Sequence, residues 1–218
     1  MEINNSDNEN VSKYVYTPYY CEENVFLLCK KLIEDGIADP TGSDLFVVFV
    51  SNDRKQVPLW RQKASSRRDG AVVWDYHVIC VQKTKNADSA NLVWDLDANI
   101  PCPSPLSSYF LHVIGKSCNL YAEYRRYFRV THACMFIRSF ASDRSHMKDE
   151  AGNWIAPPPP YNPIVSQDGS VNNLQEYMGI HASEEVSIFE GDVADLLFTR
   201  KLGVVLNEDN FEEFFSRF

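Results

Sequence analysis

Residues 71–97 read AVVWDYHVICVQKTKNADSANLVWDLD, and this stretch predicts the centre of the fold. The first part, 71–82, is rich in β-branched and aromatic residues, which favour a strand. The polar KTKNADSA that follows is typical of a turn, and NLVWDLD returns as a second strand, so we expect an antiparallel pair. Neither face of the first strand is purely apolar, which predicts that other elements cover both sides of the sheet.

The segment CEENVFLLCKKLIEDG, residues 21–36, predicts an amphipathic helix. Its apolar residues recur at positions i, i+3, i+4, i+7 and i+8, which is the spacing of one helical face. Two glutamates fall in the first turn, where they complement the helix dipole, and Gly36 is a suitable terminator. Cys21 therefore stands at the N-terminal end of the predicted helix.

The remaining periodic segments indicate an α+β chain. Strands are predicted at 45–50, 57–60, 128–133 and 201–206. Helices are predicted at 106–114, 135–140, 174–178 and 207–218, the last capped by Asn207. Residues 141–163 look irregular and 181–199 fit neither pattern. Because no repeat or linker is visible, we expect one domain over residues 14–218, preceded by a flexible polar tail of residues 1–13.

Composition excludes several classes of protein. The chain has 218 residues, 44% of them hydrophobic, which is enough for a packed core. The longest apolar run, residues 45–50, is far shorter than the roughly 20 residues that span a bilayer. The net charge of −9 argues against nucleic acid as a partner. The polar start MEINNSDNEN shows no targeting pattern, so we expect a cytoplasmic protein that does not bind membranes, with nuclear entry left open.

The six cysteines do not predict a metal site. They form no Cys-x-x-Cys pair, and the nearest cluster combines His132 and Cys134 with Cys118. Structural zinc sites use two close pairs of ligands, so we expect neither a metal nor another cofactor. Most of these thiols are expected to be small buried side chains.

Cys21 is a candidate nucleophile because a helix N-terminus favours a thiolate. The free backbone N–H groups there could also hold an oxyanion. Glu22 and Glu23 oppose this by adding negative charge, unless their side chains point away. The alternative is a partly buried structural thiol.

His77 is the candidate base, and a carboxylate must orient it. A turn centred near Asn86 would place Asp95 opposite His77, whereas one centred near Ala87 would select Asp97. Asp75, on the same predicted strand and face, is a third possibility. The alternative is a structural histidine with a carboxylate partner in the core. The order Cys, His, Asp on a helix and two strands suits papain-like and transglutaminase-like folds, an analogy that does not fix a reaction.

Several longer motifs carry a more specific resemblance. They are YCEEN (20–24), SNDRK (51–55), WDYHV (74–78), DLD (95–97), RRYFRV (125–130), FASDRSHMKD (140–149), GNW (152–154) and PPPPY (157–161). In this order they resemble the family of eukaryotic protein N-terminal glutamine amidohydrolases. The resemblance is strong from Tyr20 to Tyr161, weaker over the final strand and helix, and leaves 181–199 without a counterpart.

The resemblance implies a monomeric, papain-like α/β cysteine hydrolase without a metal. Its nucleophile falls on Cys21 in YCEEN, its histidine on His77 in WDYHV, and its acid on Asp95, the first Asp of DLD. It implies deamidation of N-terminal glutamine to glutamate in proteins and peptides, which feeds an N-degron pathway. The free α-amino group of such a substrate needs an acidic or carbonyl partner, for which Asp75 and Asp143 are candidates. A salt bridge or a turn cap is the alternative role for either.

Three other functions are compatible with parts of the sequence. A cysteine peptidase or a transglutaminase could use the same three residues. A non-enzymatic adaptor could present the Pro-Pro-x-Tyr sequence of residues 158–161 to an aromatic groove. A purely structural domain could hold His77 and Asp95 as a core pair.

Overall fold

The computed structural model describes residues 13–84, 89–115, 120–186 and 193–217. The predicted tail lies outside these ranges except for Lys13, whose ammonium pairs with the carboxylate of Asp35 at 2.6 Å. Within the described ranges, no helix combines the length and the apolar character that crossing a bilayer requires.

Within these ranges, eight strands form two antiparallel sheets. Their bounds are β1 Leu45–Ser51, β2 Val57–Leu59, β3 Val72–Trp74, β4 His77–Gln82, β5 Leu92–Trp94, β6 Ser104–Pro105, β7 Tyr127–His132 and β8 Val204–Leu206. The larger sheet has the order β6-β5-β4-β1-β7-β8, and β2 pairs with β3 in a separate ribbon. The predicted mixed α+β class with an antiparallel sheet is confirmed.

Among the described residues, five of the six α-helices correspond to predicted ones, whereas α5 lies in the stretch 181–199, for which no element is predicted. Their bounds are α1 Cys21–Glu34, α2 Leu106–Tyr109, α3 Ala133–Ser139, α4 Leu174–Met178, α5 Val193–Thr199 and α6 Glu208–Arg217. The predicted helix at 106–114 exists, but its second part, Phe110–Ile114, is a π-helix. The N-terminal cap of α6 is confirmed, because the backbone N–H of Asn210 donates to Asn207 Oδ1 at 2.8 Å.

Apolar side chains cover both faces of the large sheet, as the sequence predicts. Along β1, Val47 and Phe49 pack on the side of α1, whereas Phe46 and Val48 pack on the opposite side. Helix α1 contributes its predicted apolar stripe to the first core, and α6 contributes buried phenylalanines to the second. A sheet buried on both sides holds the strand ends, and any site at them, in fixed positions.

The prediction of one continuous strand over 71–82 is wrong. The chain breaks at Asp75 and Tyr76, so that β3 pairs with β2 while β4 joins the large sheet. Two hydrogen bonds fix the break: Asp75 Oδ1 accepts the backbone N–H of Tyr76 at 2.9 Å, and the Asp75 carbonyl accepts the hydroxyl of Ser51 at 3.0 Å. His77 is therefore the first residue of β4, and Asp75 does not share a strand face with it.

The return strand pairs with β4 as predicted, in a register that aligns Cys80 with Trp94 and Gln82 with Leu92. This register corresponds to a turn centred near Ala87, and its extension would align His77 with Asp97. However, β5 ends at Trp94, and the chain turns away at Asp95. Asp95 and the residues after it therefore lie outside the hydrogen-bonded strand pair, and Asp95 can approach His77 from the turn.

Candidate active site

Cys21 is the first residue of α1, as predicted, and only 8% of its surface is exposed. The backbone N–H of Val78 lowers the pKa of its thiol, so the sulfur lies beside the residue that follows His77. Burial, followed by the negative charges of Glu22 and Asp97, nevertheless raises the pKa of Cys21 well above its ordinary value. The thiolate therefore requires a cationic neighbour to form.

His77 and Asp95 form a buried pair at the edge of the large sheet where β4 begins and β5 ends. His77 Nε2 lies 3.0 Å from Asp95 Oδ1, and both side chains are almost inaccessible. Burial opposes the charged imidazole, but the carboxylates of Asp95 and Asp97 outweigh it, so the pKa of His77 is raised. Burial likewise opposes the charge on Asp95, but His77 and then Tyr109 hold its pKa below the ordinary value.

Three further hydrogen bonds fix this arrangement of carboxylates. The hydroxyl of Tyr109 donates to Asp95 Oδ2 at 2.8 Å, and the backbone N–H of Asp97 donates to Asp95 Oδ1 at 2.9 Å. Asp97 Oδ1 in turn accepts the hydroxyl of Tyr16 at 2.8 Å. The ring of His77 is the centre of this network, and neither carboxylate turns outward to solvent.

The donor atoms of His77, Asp95 and Asp97 lie within 4.8 Å of one another, a grouping that could also hold a metal ion. Both Asp95 oxygens and one Asp97 oxygen already accept hydrogen bonds from O–H or N–H groups. A divalent cation would have to compete with these donors for the same lone pairs. The observed hydrogen bonds suit an ionised carboxylate that orients an imidazole.

The second nitrogen of His77 is available for chemistry. Among the described residues, Nδ1 has no hydrogen-bond partner although it is buried. The indole of Trp74 stacks on the imidazole with a centroid distance of 5.7 Å and an interplanar angle of 17°. Trp74 is itself held by its Nε1–H, which donates to Gln62 Oε1 at 3.1 Å. The ring is thus held at Nε2 and on one face, and Nδ1 is left to exchange a proton with a nearby group.

Glu22 lies directly beside the nucleophile and is completely buried. Its Oε2 accepts the hydroxyl of Tyr76 at 2.9 Å and lies 3.7 Å from the sulfur of Cys21, while Oε1 lies 3.5 Å from His146 Nε2. Burial raises the pKa of Glu22 to about 7. The side chain therefore does not point away from Cys21, and only its protonation limits the charge that it adds.

Glu23 contacts Arg144 rather than the groups around Cys21. Its carboxylate receives two hydrogen bonds from Arg144, at 2.9 and 2.8 Å, and both side chains are buried. Arg144 also donates to the carbonyls of Pro159 and Tyr161, at 3.2 and 2.9 Å. This pair fastens the irregular segment 141–161 to the first turn of α1, and so places His146 above Glu22.

The Pro-Pro-x-Tyr sequence is part of the same attachment. The ring of Tyr161 lies 5.0 Å from the guanidinium carbon of Arg144, and its hydroxyl is buried. A tyrosine used inside the domain is not free to enter the aromatic groove of another protein. This geometry disfavours the adaptor function.

The two candidates for the substrate amine differ in their surroundings. Asp75 is exposed at the break between β3 and β4, and only its Oδ1 has a described hydrogen bond, to the neighbouring N–H of Tyr76. Burial lowers the pKa of His146, and Asp75 is the first of the charges that oppose this. Asp143 instead accepts the backbone N–H of Ser145 at 2.9 Å and the amide of Asn172 at 2.7 Å, which is a turn cap.

Sequence reasoning missed Glu22, Tyr76 and Tyr109 as neighbours of the candidate triad. Tyr76 and Tyr109 carried no signal, because a tyrosine in an apolar segment is typical of any core. Glu22 carries a weak signal, because it directly follows the candidate nucleophile, but from the sequence it counts only as an opposing negative charge. The structure pairs His77 with Asp95, places the sulfur of Cys21 beside Val78, leaves Asp75 exposed next to His77 and uses Asp143 as a turn cap.

The chain is similar to known proteins over most of its length. The model of the N-terminal glutamine amidase family matches residues 16–215, which is wider than the motifs indicate and includes 181–199. A protein N-terminal glutamine amidohydrolase of Arabidopsis thaliana is 53% identical over 94% of this chain and 93% of its own length. The protein of the same name from Oryza sativa subsp. indica is 54% identical over 94% of this chain and 89% of its own length. The one from Homo sapiens is 39% identical over 76% of this chain and 78% of its own length.

Proposed function

The chain belongs to the N-terminal glutamine amidase family, and from that premise we propose that it hydrolyses the side-chain amide of N-terminal glutamine in proteins and peptides. The products are N-terminal glutamate and ammonia. The observation that carries the proposal is the His77–Asp95 pair, in which Nδ1 of His77 has no hydrogen bond among the described residues, together with a thiol at a helix N-terminus beside Val78, the next residue of β4.

Cys21, His77 and Asp95 act in this proposal as a nucleophile, an acid–base and an orienting acid. His77 Nδ1 takes the proton of the Cys21 thiol, and the imidazolium that results offsets the burial and negative charge that raise the pKa of Cys21. The sulfur then attacks the carboxamide carbon of glutamine. His77 returns the proton to the departing ammonia, which leaves a thioester on Cys21.

Water completes the reaction. Neutral His77 removes a proton from the water molecule that attacks the thioester, and the thiolate leaves as glutamate forms. Asp95 keeps the imidazole in the tautomer with hydrogen on Nε2 and stabilises its charged form, as in other triads. The backbone N–H of Cys21 at the start of α1 is available for the oxyanion.

Asp75 is the proposed partner of the substrate's α-ammonium. It is exposed next to the site, has a carboxylate oxygen without a described hydrogen bond, and lies close enough to affect Cys21 and His146. Asp143 is the weaker candidate because its carboxylate already caps the turn at Ser145. A charged amine would add the favourable electrostatic contact that an acetylated or internal glutamine lacks.

Other parts of the proposal rest on the family alone. They are a papain-like or transglutaminase-like arrangement of one catalytic domain over 14–218, action as a monomer, and a cytoplasmic or nuclear role in an N-degron pathway. The reaction as proposed consumes only water, and the three side chains supply every proton transfer, so no cofactor enters it.

The test is ammonia release from matched peptides that begin with Gln, Asn or acetyl-Gln, with mass analysis of the products. Wild type should release ammonia only from free N-terminal Gln and leave the chain intact, and Cys21→Ala should be inactive. Cys134→Ala is the matched control and should keep activity, because the Cys134 thiol donates to the carbonyl of Thr41, before the start of β1, whereas His77 pairs with Val50 at the other end of that strand. A cut chain would indicate a peptidase, and Gln joined to an added amine would indicate a transglutaminase.

A further inference from the structure

Loop 61–70, between β2 and β3, concentrates positive charge on an acidic protein. It contains four basic residues and one acidic residue, whereas the whole chain carries a net charge of −9. The four basic residues line one cavity of about 280 Å³: Arg61, Lys63, Arg67 and Arg68. Two of them, Arg61 and Arg68, also border a neighbouring cavity of about 410 Å³. A concentration of one charge in a concave surface raises the local concentration of the opposite charge.

The basic side chains of this loop differ in whether the protein neutralises them. Arg67 makes a two-point ion pair with Asp69, at 2.9 and 2.8 Å, and Lys63 donates to the carbonyl of Leu96 at 2.7 Å. Within the described ranges, no carboxylate pairs with Arg61 or Arg68, and both side chains are exposed. Two guanidinium groups are therefore available to bind anions from outside the chain.

The backbone of the loop is held rigidly. Arg61 has φ = +55°, a conformation that costs free energy for a residue with a side chain. Hydrogen bonds from Asn99 N–H to the Arg61 carbonyl and from Gln62 N–H to the Gly70 carbonyl, at 2.5 and 2.9 Å, maintain it. Gly70 is required because a Cβ there would lie 2.9 Å from Arg61 Cα. The loop thus holds the backbone of Arg61 in one position, from which its exposed side chain extends.

The loop is joined to the candidate active site through partly buried contacts. Gln62, which lines the cavity, accepts the indole N–H of Trp74, and Trp74 stacks on His77. Lys63 binds the carbonyl between Asp95 and Asp97. The basic loop is therefore a rim of the site that would receive the substrate's first residue.

We infer that Arg61 and Arg68 bind acidic side chains of the substrate polypeptide downstream of its first residue. This inference rests on the proposed function. From His77 the path to the loop comprises one ring stack of 5.7 Å and one hydrogen bond of 3.1 Å. An extended peptide advances about 3.3 Å per residue, so roughly the third to sixth residues of the substrate reach the loop. The preferred substrates therefore carry glutamate or aspartate shortly after an N-terminal glutamine.

The test compares peptides that begin with Gln and carry glutamate, glutamine or lysine at positions three to six. Wild type should favour the glutamate series over the lysine series by about three- to tenfold in kcat/KM, the size expected of exposed charge pairs. The preference should vanish at about 1 M salt, where the screening length is about 3 Å. The double variant Arg61→Glu/Arg68→Glu should invert it.

A matched control is Arg138→Glu/Arg200→Glu, which changes the net charge equally at two exposed arginines outside the loop. This variant should keep the preference for glutamate. Equal rates for all peptides in wild type, or inversion by the control variant as well, would overturn the inference. A failure of the proposed function is distinguishable, because wild type would then release no ammonia from any of the peptides.

Discussion

Asp95 accepts the hydrogen bond of His77 at 3.0 Å, although the ladder of β4 and β5 would align His77 with Asp97. The ladder ends at Trp94, and the carboxylate of Asp95 approaches the imidazole from the turn that follows. Tyr109 and the N–H of Asp97 hold it there. Asp97, in contrast, is bound by Tyr16. Two buried aspartates, two residues apart, therefore have different partners.

The first prediction separates these two aspartates. Asp95→Asn should lower kcat by about 10³- to 10⁴-fold, because the imidazole loses its tautomer and the support for its positive charge. Asp97→Asn keeps the His77–Asp95 bond and should lower kcat far less. Steady-state ammonia release measures both, with circular dichroism as the control for folding. The opposite ranking would mean that Asp97 is the orienting acid.

The second prediction concerns Glu22 and pH. Burial raises its pKa from an ordinary 4.5 to about 7, so the folded state keeps a proton that the unfolded state loses in this interval. Stability should therefore fall as the pH rises from about 4.5 to about 7, by up to about 3 kcal/mol. Glu22→Gln removes the ionisation and should raise Tm at pH 8 more than at pH 5.

Glu34→Gln is the control for this measurement, since Glu34 lies on the same helix and is exposed. It should change Tm little at either pH. If Glu22→Gln shifted Tm equally at pH 5 and pH 8, Glu22 would not carry the buried proton.

The third prediction tests recognition of the substrate amine. Asp75→Asn should reduce kcat/KM for peptides with free N-terminal Gln by about 10- to 100-fold, the size of a lost charge-assisted hydrogen bond. Asp143→Asn should leave kcat/KM nearly unchanged and lower Tm slightly, because Asp143 caps a turn. A large kinetic effect of Asp143→Asn combined with none of Asp75→Asn would reverse these roles.

The fourth prediction concerns the attachment of segment 141–161 to α1. Arg144→Met leaves the carboxylate of Glu23 buried without its partner, which should cost about 3–5 kcal/mol in the free energy of unfolding. The double variant Arg144→Met/Glu23→Gln should recover part of this loss. Urea unfolding measures both. A single variant as stable as wild type would show that the pair does not hold the segment.

The periodic segments could be predicted from the sequence because burial determines them locally. The strand of residues 45–50 is an unbroken apolar run, the helix of 21–36 keeps one helical period, and both occur close to their predicted bounds. The break at Asp75 could not be predicted in this way. It depends on the pairing of β3 with β2, and the composition of 71–82 favours a strand throughout.

The same distinction between local pattern and long-range contacts applies to the candidate site. The position of Cys21 at a helix start follows from local pattern. The pairing of His77 with Asp95 does not, because the strand register alone would align His77 with Asp97, and only the family resemblance points to Asp95. The contact of Glu22 with His146 depends on how Arg144 fastens an irregular segment to α1. Such contacts join residues more than 120 positions apart, and no periodicity in the sequence records them.

The raised pKa of Cys21 has a consequence for the lifetime of the protein. Oxidants attack thiolates much faster than thiols, and attack also requires access. A sulfur that is 8% exposed and uncharged at rest is protected on both counts. In the proposed mechanism the sulfur of Cys21 is charged only in the interval when His77 holds its proton, so the same burial that opposes ionisation protects the resting thiol from peroxide.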